Sequence, residues 1–167
     1  MTDMTAHAGI EHHGEPSRIG RYDPWRDVRL NWPGVRVVIE RMTGDLLGEV
    51  RDGGAVIALR AGTSAAQRRC TLAHEIVHLE RGLHDCGQWA YREEIAVHLT
   101  AARRLITAAD LVAAIRELGG ADDRGALAHA LEVDTETLTM RLGTLDRDER
   151  RAVRRALARC SPLWSVA

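Results

Sequence analysis

Hydrophobic positions along the chain change from a strand pattern to a helical pattern near residue 62. Three short apolar runs come first, and turns that contain glycine or proline separate them. The second and third runs flank the Asp-Gly-Gly sequence at 52–54, so we expect these two to form a hairpin. The predicted strands cover residues 35–39, 46–50 and 55–59.

Six helices are predicted after residue 62, because apolar residues then recur every three or four positions. The first begins after Ser64, which can form a capping box with Gln67, and ends before Gly82. Thr107 and Asp110 can cap the third in the same way. The predicted spans are 65–81, 88–105, 108–118, 124–131, 135–142 and 147–159.

The order of these elements predicts an α+β fold, because the strands precede the helices. We expect a small N-terminal antiparallel sheet packed on the first two helices, followed by a helical C-terminal region with a helix-turn-helix-like pair. Residues 21–160 are expected to form one domain. Within it, 21–106 carry the sheet and the site, and 107–160 form a helical cap. Residues 1–20 and 161–167 are expected to be tails.

The composition is that of a globular protein, and it argues against long-range disorder, a collagen-like repeat or a polybasic surface for partners. The 167 residues are 45% hydrophobic and 28% charged, with a formal net charge of −1. No apolar run reaches the ~20 residues of a membrane span. Residues 1–20 contain no apolar core, so we do not expect them to be a secretory signal. The three cysteines lack the spacing of a disulfide framework, so we expect a reducing, cytoplasmic location.

A metal-binding pattern lies within the first predicted helix. His74 and His78 are four residues apart, so both imidazoles project from one face of the helix and can bind one ion. Glu75 is offset from His74 by about 100° around the helix, which places it beside the ion as a base rather than as a ligand. Zinc lowers the pKa of its water and the carboxylate takes the proton, so the pattern predicts a zinc-dependent hydrolase.

The residues alone leave two arrangements open for the third zinc ligand. In one, His84 follows His78 by six residues, but the glycine that this arrangement needs stands one position late, at Gly82. In the other, a glutamate from the next helix completes the site. Glu94 is in phase with the buried stripe of that helix, where an uncompensated carboxylate would be costly, so it is the preferred ligand. Glu93 is the runner-up.

Two further side chains near the pattern have simpler interpretations. Cys70 lies one turn before His74, about 6 Å along the helix, which is too far for the same tetrahedral site. We expect it to be a small buried hydrophobic residue. His98 lies one turn after Glu94 and is most simply a helix-face histidine. The alternative places it beside the ligands or at the substrate oxygen.

Two segments resemble the ImmA/IrrE family of zinc metallopeptidases. Residues 69–78, RCTLAHEIVH, are similar to the family pattern T-L-A-H-E-[IL]-x-H. Residues 94–106 are similar to its glutamate-bearing helix, although Thr107 stands where the family often has proline. The resemblance extends over roughly residues 25–160.

This resemblance implies roles for four residues and a class of substrate. His74, His78 and Glu94 would be zinc ligands, and Glu75 would be the general base. Members of the family cleave helix-turn-helix repressors in phages, mobile elements or stress-response operons, so the implied partner is such a repressor. We also expect an edge strand of the sheet, at residues 55–59, to pair with an extended segment of the substrate.

Two other classes of function compete with the peptidase. The helix-turn-helix-like pair at 124–142 is typical of DNA-binding regulators, but its second helix offers Glu136 and a single arginine, Arg141. Residues 122–160 balance eight arginines against eight acids, so direct DNA binding is not expected. The other alternative is a catalytically silent zinc-site protein that binds a partner. The presence of Glu75 argues against it, because a structural site needs no base.

Overall fold

Seven helices and three strands make up the part of the chain that the computed structural model describes, residues 21–82 and 90–160. The α+β class predicted from the sequence is confirmed. In chain order the elements are α1 (Pro24–Asn31), β1 (Arg36–Glu40), β2 (Gly48–Arg51), β3 (Val56–Arg60), α2 (Ala65–Arg81), α3 (Ala90–Leu105), α4 (Ala108–Leu118), α5 (Arg124–Ala130), α6 (Thr135–Gly143) and α7 (Arg147–Cys160).

The sheet is mixed, so the prediction of an antiparallel sheet is wrong in part. The hairpin is confirmed, since β2 pairs antiparallel with β3, but β1 pairs parallel with the other side of β3. The middle strand is therefore β3, with Val56 to Leu59 all buried. A middle strand has no free edge, so the expected pairing of a substrate with residues 55–59 is also wrong. The free edges belong to β1 and β2.

Helix α1 lies outside the elements predicted from the sequence. The Asp23 side chain accepts hydrogen bonds from the backbone N–H groups of Trp25 and Arg26, and Pro24 occupies the first turn. These are good start signals for a helix. However, the helix has only 8 residues and buries only Pro24 and Val28. Two buried positions are too few to show a helical period in the sequence.

Helix α2 lies between two hydrophobic clusters, one under the sheet and one among the helices. Leu72 and Ile76 pack with Leu59 and the rest of the sheet cluster. Ala73 and Val77 face the helical cluster on the other side. Because both faces are covered, the rotation of α2 about its axis is fixed, and the directions of its polar side chains are fixed with it.

Two buried arginines connect the C-terminal helices to the α2 and α3 region. Arg69 of α2 donates hydrogen bonds to the backbone oxygens of Glu132, at 3.0 Å, and Tyr22, at 2.8 Å. Arg141 of α6 donates to the backbone oxygen of Ile106 at 2.8 Å. A buried guanidinium needs such acceptors, so these bonds fix α6 relative to α2 and α3.

No helix within residues 21–82 and 90–160 combines the length and apolar character needed to cross a membrane. The two expected tails, 1–20 and 161–167, lie outside the described residues.

Candidate active site

The packing of α2 against α3 brings three predicted site residues to one point. His74 and His78 approach each other with their Nε2 atoms 3.0 Å apart. Glu94 reaches across from α3, with Oε1 2.9 Å from His74 Nε2 and Oε2 3.3 Å from His78 Nε2. The three side chains thus present two nitrogens and a carboxylate to a common centre.

The donor set and its spacing fit a zinc ion. Ligands at 2.0–2.1 Å around a tetrahedral ion are separated from one another by about 3.3 Å, and the observed separations are 2.9–3.3 Å. Burial lowers the pKa of His74 to about 3, with further contributions from His98 and His78. A neutral imidazole is the form that binds metal, so the ring is ready to be a ligand at neutral pH.

Glu75 lies beside this cluster and is buried, with 6% of its surface exposed. Burial, together with the nearby Glu94 and Glu49 carboxylates, raises its pKa to about 8. Without a cation the carboxyl group is therefore mostly protonated at neutral pH. A divalent cation held by the adjacent ligands would lower this pKa, because an opposite charge favours the ionised form.

The two alternatives to Glu94 differ in where they lie. Glu93 points toward α2 and forms an ion pair with Arg81, whose Nη2 donates to Glu93 Oε2 at 2.8 Å. His84 lies outside the described residues, so the three-histidine arrangement stays a prediction. Within the described residues, Glu94 is the glutamate of this pair that joins the histidine cluster.

His98 belongs to the cluster as well, which the sequence did not favour. Its ring centroid lies 4.3 Å from that of His74, and its Nε2 lies 3.4 Å from Glu94 Oε1.

Cys70 is buried, as expected, and its sulfur accepts a hydrogen bond from the backbone N–H of Asp134 at 3.5 Å.

A pocket of about 280 Å³ opens beside the cluster, and two segments without any motif form much of its wall. One is the loop that enters β2, and the other is α6. The sequence signal for the loop is the adjacent pair Leu46-Leu47. Successive residues of a strand point to opposite faces, so two adjacent leucines cannot both face the same core, and one of them must lie elsewhere. The wall residues from these segments include Leu46, Leu47, Gly48, Glu136, Thr137 and Met140.

One arginine holds the loop at the pocket rim. Arg60, at the end of β3, donates to the backbone oxygen of Met42 at 3.1 Å and also to those of Thr43, Gly44 and Leu46. Leu46 is 55% exposed and Leu47 is 37% exposed. The loop bonded to Arg60 thus presents two apolar side chains to whatever enters the pocket.

Comparison with known families identifies the domain that carries this site. The peptidase family model described as the IrrE N-terminal-like domain matches residues 32–143, from the start of the sheet to the end of α6. The chain belongs to this family. The resemblance read from the motifs is therefore confirmed. No curated protein and no solved structure gives a significant match to the chain.

We expect zinc binding by this IrrE-like domain to depend on the three converging side chains. His74→Ala, His78→Ala and Glu94→Gln should each lower the zinc retained after dialysis below about one ion per chain, because each removes a ligand. Elemental analysis of the purified protein measures this. Glu93→Gln and His84→Ala are the controls and should keep the ion. Loss in His84→Ala with retention in Glu94→Gln would contradict the assignment.

Gly48 allows β2 of the IrrE-like domain to approach α2. A Cβ atom there would lie 2.4 Å from Thr71 Cγ2 and 3.1 Å from both Glu75 Oε1 and the Ala58 backbone oxygen. We therefore expect Gly48→Ala to lower the free energy of unfolding by about 1–3 kcal/mol. Adding Thr71→Ser should recover part of the loss, because it removes the closest contact.

Denaturant titration checks this, with Gly143→Ala as the matched control. No atom lies within 4 Å of a Cβ at Gly143, at the end of α6. The free energy of unfolding of the Gly143→Ala variant should stay unchanged or rise by up to about 1 kcal/mol. If Gly48→Ala were as stable as the wild type, β2 would not be tightly packed on α2.

Proposed function

We propose that this protein is a zinc-dependent endopeptidase that acts in the cytoplasm and cleaves a helix-turn-helix transcriptional repressor. The observation that carries the proposal is the convergence of His74 Nε2, His78 Nε2 and the Glu94 carboxylate within 3.3 Å, with the buried carboxyl group of Glu75 next to them. Membership of the peptidase family supports the reaction class. The repressor substrate is supported by the ImmA/IrrE resemblance.

In the proposed peptide-bond hydrolysis, the zinc ion and the Glu75 carboxyl group have different tasks. Zinc held by His74, His78 and Glu94 would polarise the scissile carbonyl and make a water molecule more acidic. Glu75 accepts the proton of the attacking water and then donates it to the leaving amine. Its burial suits both steps, since a carboxylate in a dry site is a stronger base than one in water.

The edge of the sheet nearest the site is suited to bind an extended substrate. The backbone N–H of Arg60 donates to the backbone oxygen of Leu47 at 2.8 Å. In an antiparallel pair every second residue bonds to the partner strand, so Glu49 also directs its backbone N–H and C=O groups toward β3. Gly48 and Val50 then point their N–H and C=O groups away from β3. No described strand pairs on that side, and the edge borders the pocket at Gly48.

The pocket wall also bears on the DNA-binding alternative. Helix α6 occupies the position of a recognition helix in the helix-turn-helix-like pair. Its residues Glu136, Thr137 and Met140 line the pocket instead, and Arg141 is 2% exposed and bonded to Ile106. This favours a role for α6 in binding the peptide substrate over a role in binding DNA.

Cleavage is expected to require Glu75. Glu75→Gln should lower the cleavage rate by about 10²- to 10⁴-fold, since it removes the general base and acid, and should retain zinc. Incubation with helix-turn-helix proteins of the same genome, followed by intact-mass spectrometry, measures the products. A zinc-loaded Glu75→Gln variant that cleaves at the wild-type rate would contradict the role of the base.

Substrate pairing with β2 is tested by removing one outward N–H group. Val50→Pro should lower kcat/KM roughly three- to tenfold, the effect of losing about one hydrogen bond, with a smaller change in kcat. The matched control is Val37→Pro. Because Arg36 of β1 donates to the Ala55 oxygen, Val37 points its N–H away from β3 at the opposite edge of the sheet. Equal losses in both variants would show general damage to the sheet and count against pairing at β2.

A further inference from the structure

Helix α3 brings a second metal donor to the cluster. Glu94 and His98 are four residues apart, just as His74 and His78 are on α2. Two facing helices therefore each contribute an i, i+4 pair of donors. The proposed zinc centre uses three of these four side chains and leaves His98 without a role.

The Nε2 atom of His98 lies at ligand spacing from the Glu94 carboxylate. Its Nε2 is 3.4 Å from Glu94 Oε1, which is close to the spacing of about 3.3 Å between two ligands on one tetrahedral ion. Ligand atoms of His74, Glu94 and His98 all lie within 4.8 Å of one another. The His98 ring also lies 4.3 Å from the His74 ring, centroid to centroid.

His98 also lies on the side from which a substrate would enter. It lines the pocket together with Glu75 and Glu94. Its side chain is 40% exposed, whereas that of His74 is 14% exposed. A half-exposed ring on a pocket wall has room to turn away from the ion, which the enclosed His74 ring does not.

We propose that His98 is the fourth protein ligand of the resting zinc centre and that an entering substrate displaces it. Catalytic zinc sites have three protein ligands and an open position, whereas sites with four protein ligands are closed and structural. The resting centre would therefore retain its ion and turn over slowly until a substrate fills the pocket. This inference rests on the proposed metal-dependent function and adds a form of latency to it.

The test counts imidazole ligands by zinc K-edge X-ray absorption. Wild-type protein should show three, and His98→Ala and His98→Gln should each show two. Gln can still hydrogen-bond to Glu94 but is a poor zinc ligand, so it separates ligation from positioning of the carboxylate. His129→Ala, at an exposed position of α5, is the control and should show three.

Two further measurements complete the test. Transfer of zinc to a chelator should be at least about tenfold faster in both His98 variants than in the wild type. Acetohydroxamate, which binds zinc through two oxygens, should lower the wild-type count from three imidazoles to two.

The outcomes separate this inference from the proposed function. The assignment of His98 as fourth ligand would be overturned by a count of two imidazoles in the resting wild-type protein. It would also be overturned if His98→Gln matched the wild type in imidazole count and in the rate of zinc transfer to the chelator. If that protein still cleaved its repressor, the peptidase function would stand. Three imidazoles without cleavage would support the closed centre and overturn the peptidase.

Discussion

The contact between α2 and α3 is the interaction on which the candidate site depends. It brings two histidines and a carboxylate within 3.3 Å of one another, and it does so in a partly dehydrated environment. Dehydration acts oppositely on the two kinds of group, lowering the pKa of His74 and raising that of Glu75. Dehydration thus favours the neutral imidazole of His74 and, without a cation, the protonated carboxyl group of Glu75.

The remaining elements fix that contact and complete its surroundings. The sheet covers one side of α2 and the helical cluster covers the other, and this packing sets the orientation of the site helix. Gly48 lets the backbone of β2 lie against the helix at the position of the base. Arg69 and Arg141 then attach the C-terminal helices, which close the pocket from the far side.

What could be predicted from the sequence was mostly local. The capping box at Ser64 and Gln67 determines where α2 begins, and the structure has both of its hydrogen bonds. The helical phase of Glu94 placed it toward α2 and the histidines, and the neighbouring Glu93 pairs with Arg81 instead.

Features that depend on tertiary contacts were not predictable in this way. Strand order depends on how the segment at 41–47 crosses the sheet, so β3 was wrongly expected at an edge. The approach of Gly48 to α2 depends on sheet–helix packing, and the place of His98 in the cluster depends on the α2–α3 contact. Similarly, α6 joins the pocket through packing that no motif indicates. Helix α6 and the loop before β2 therefore form part of the pocket wall without carrying any of the residues assigned to chemistry. Substitutions of Glu136, Thr137 or Met140 would therefore reshape the pocket while leaving the cluster of His74, His78 and Glu94 in place.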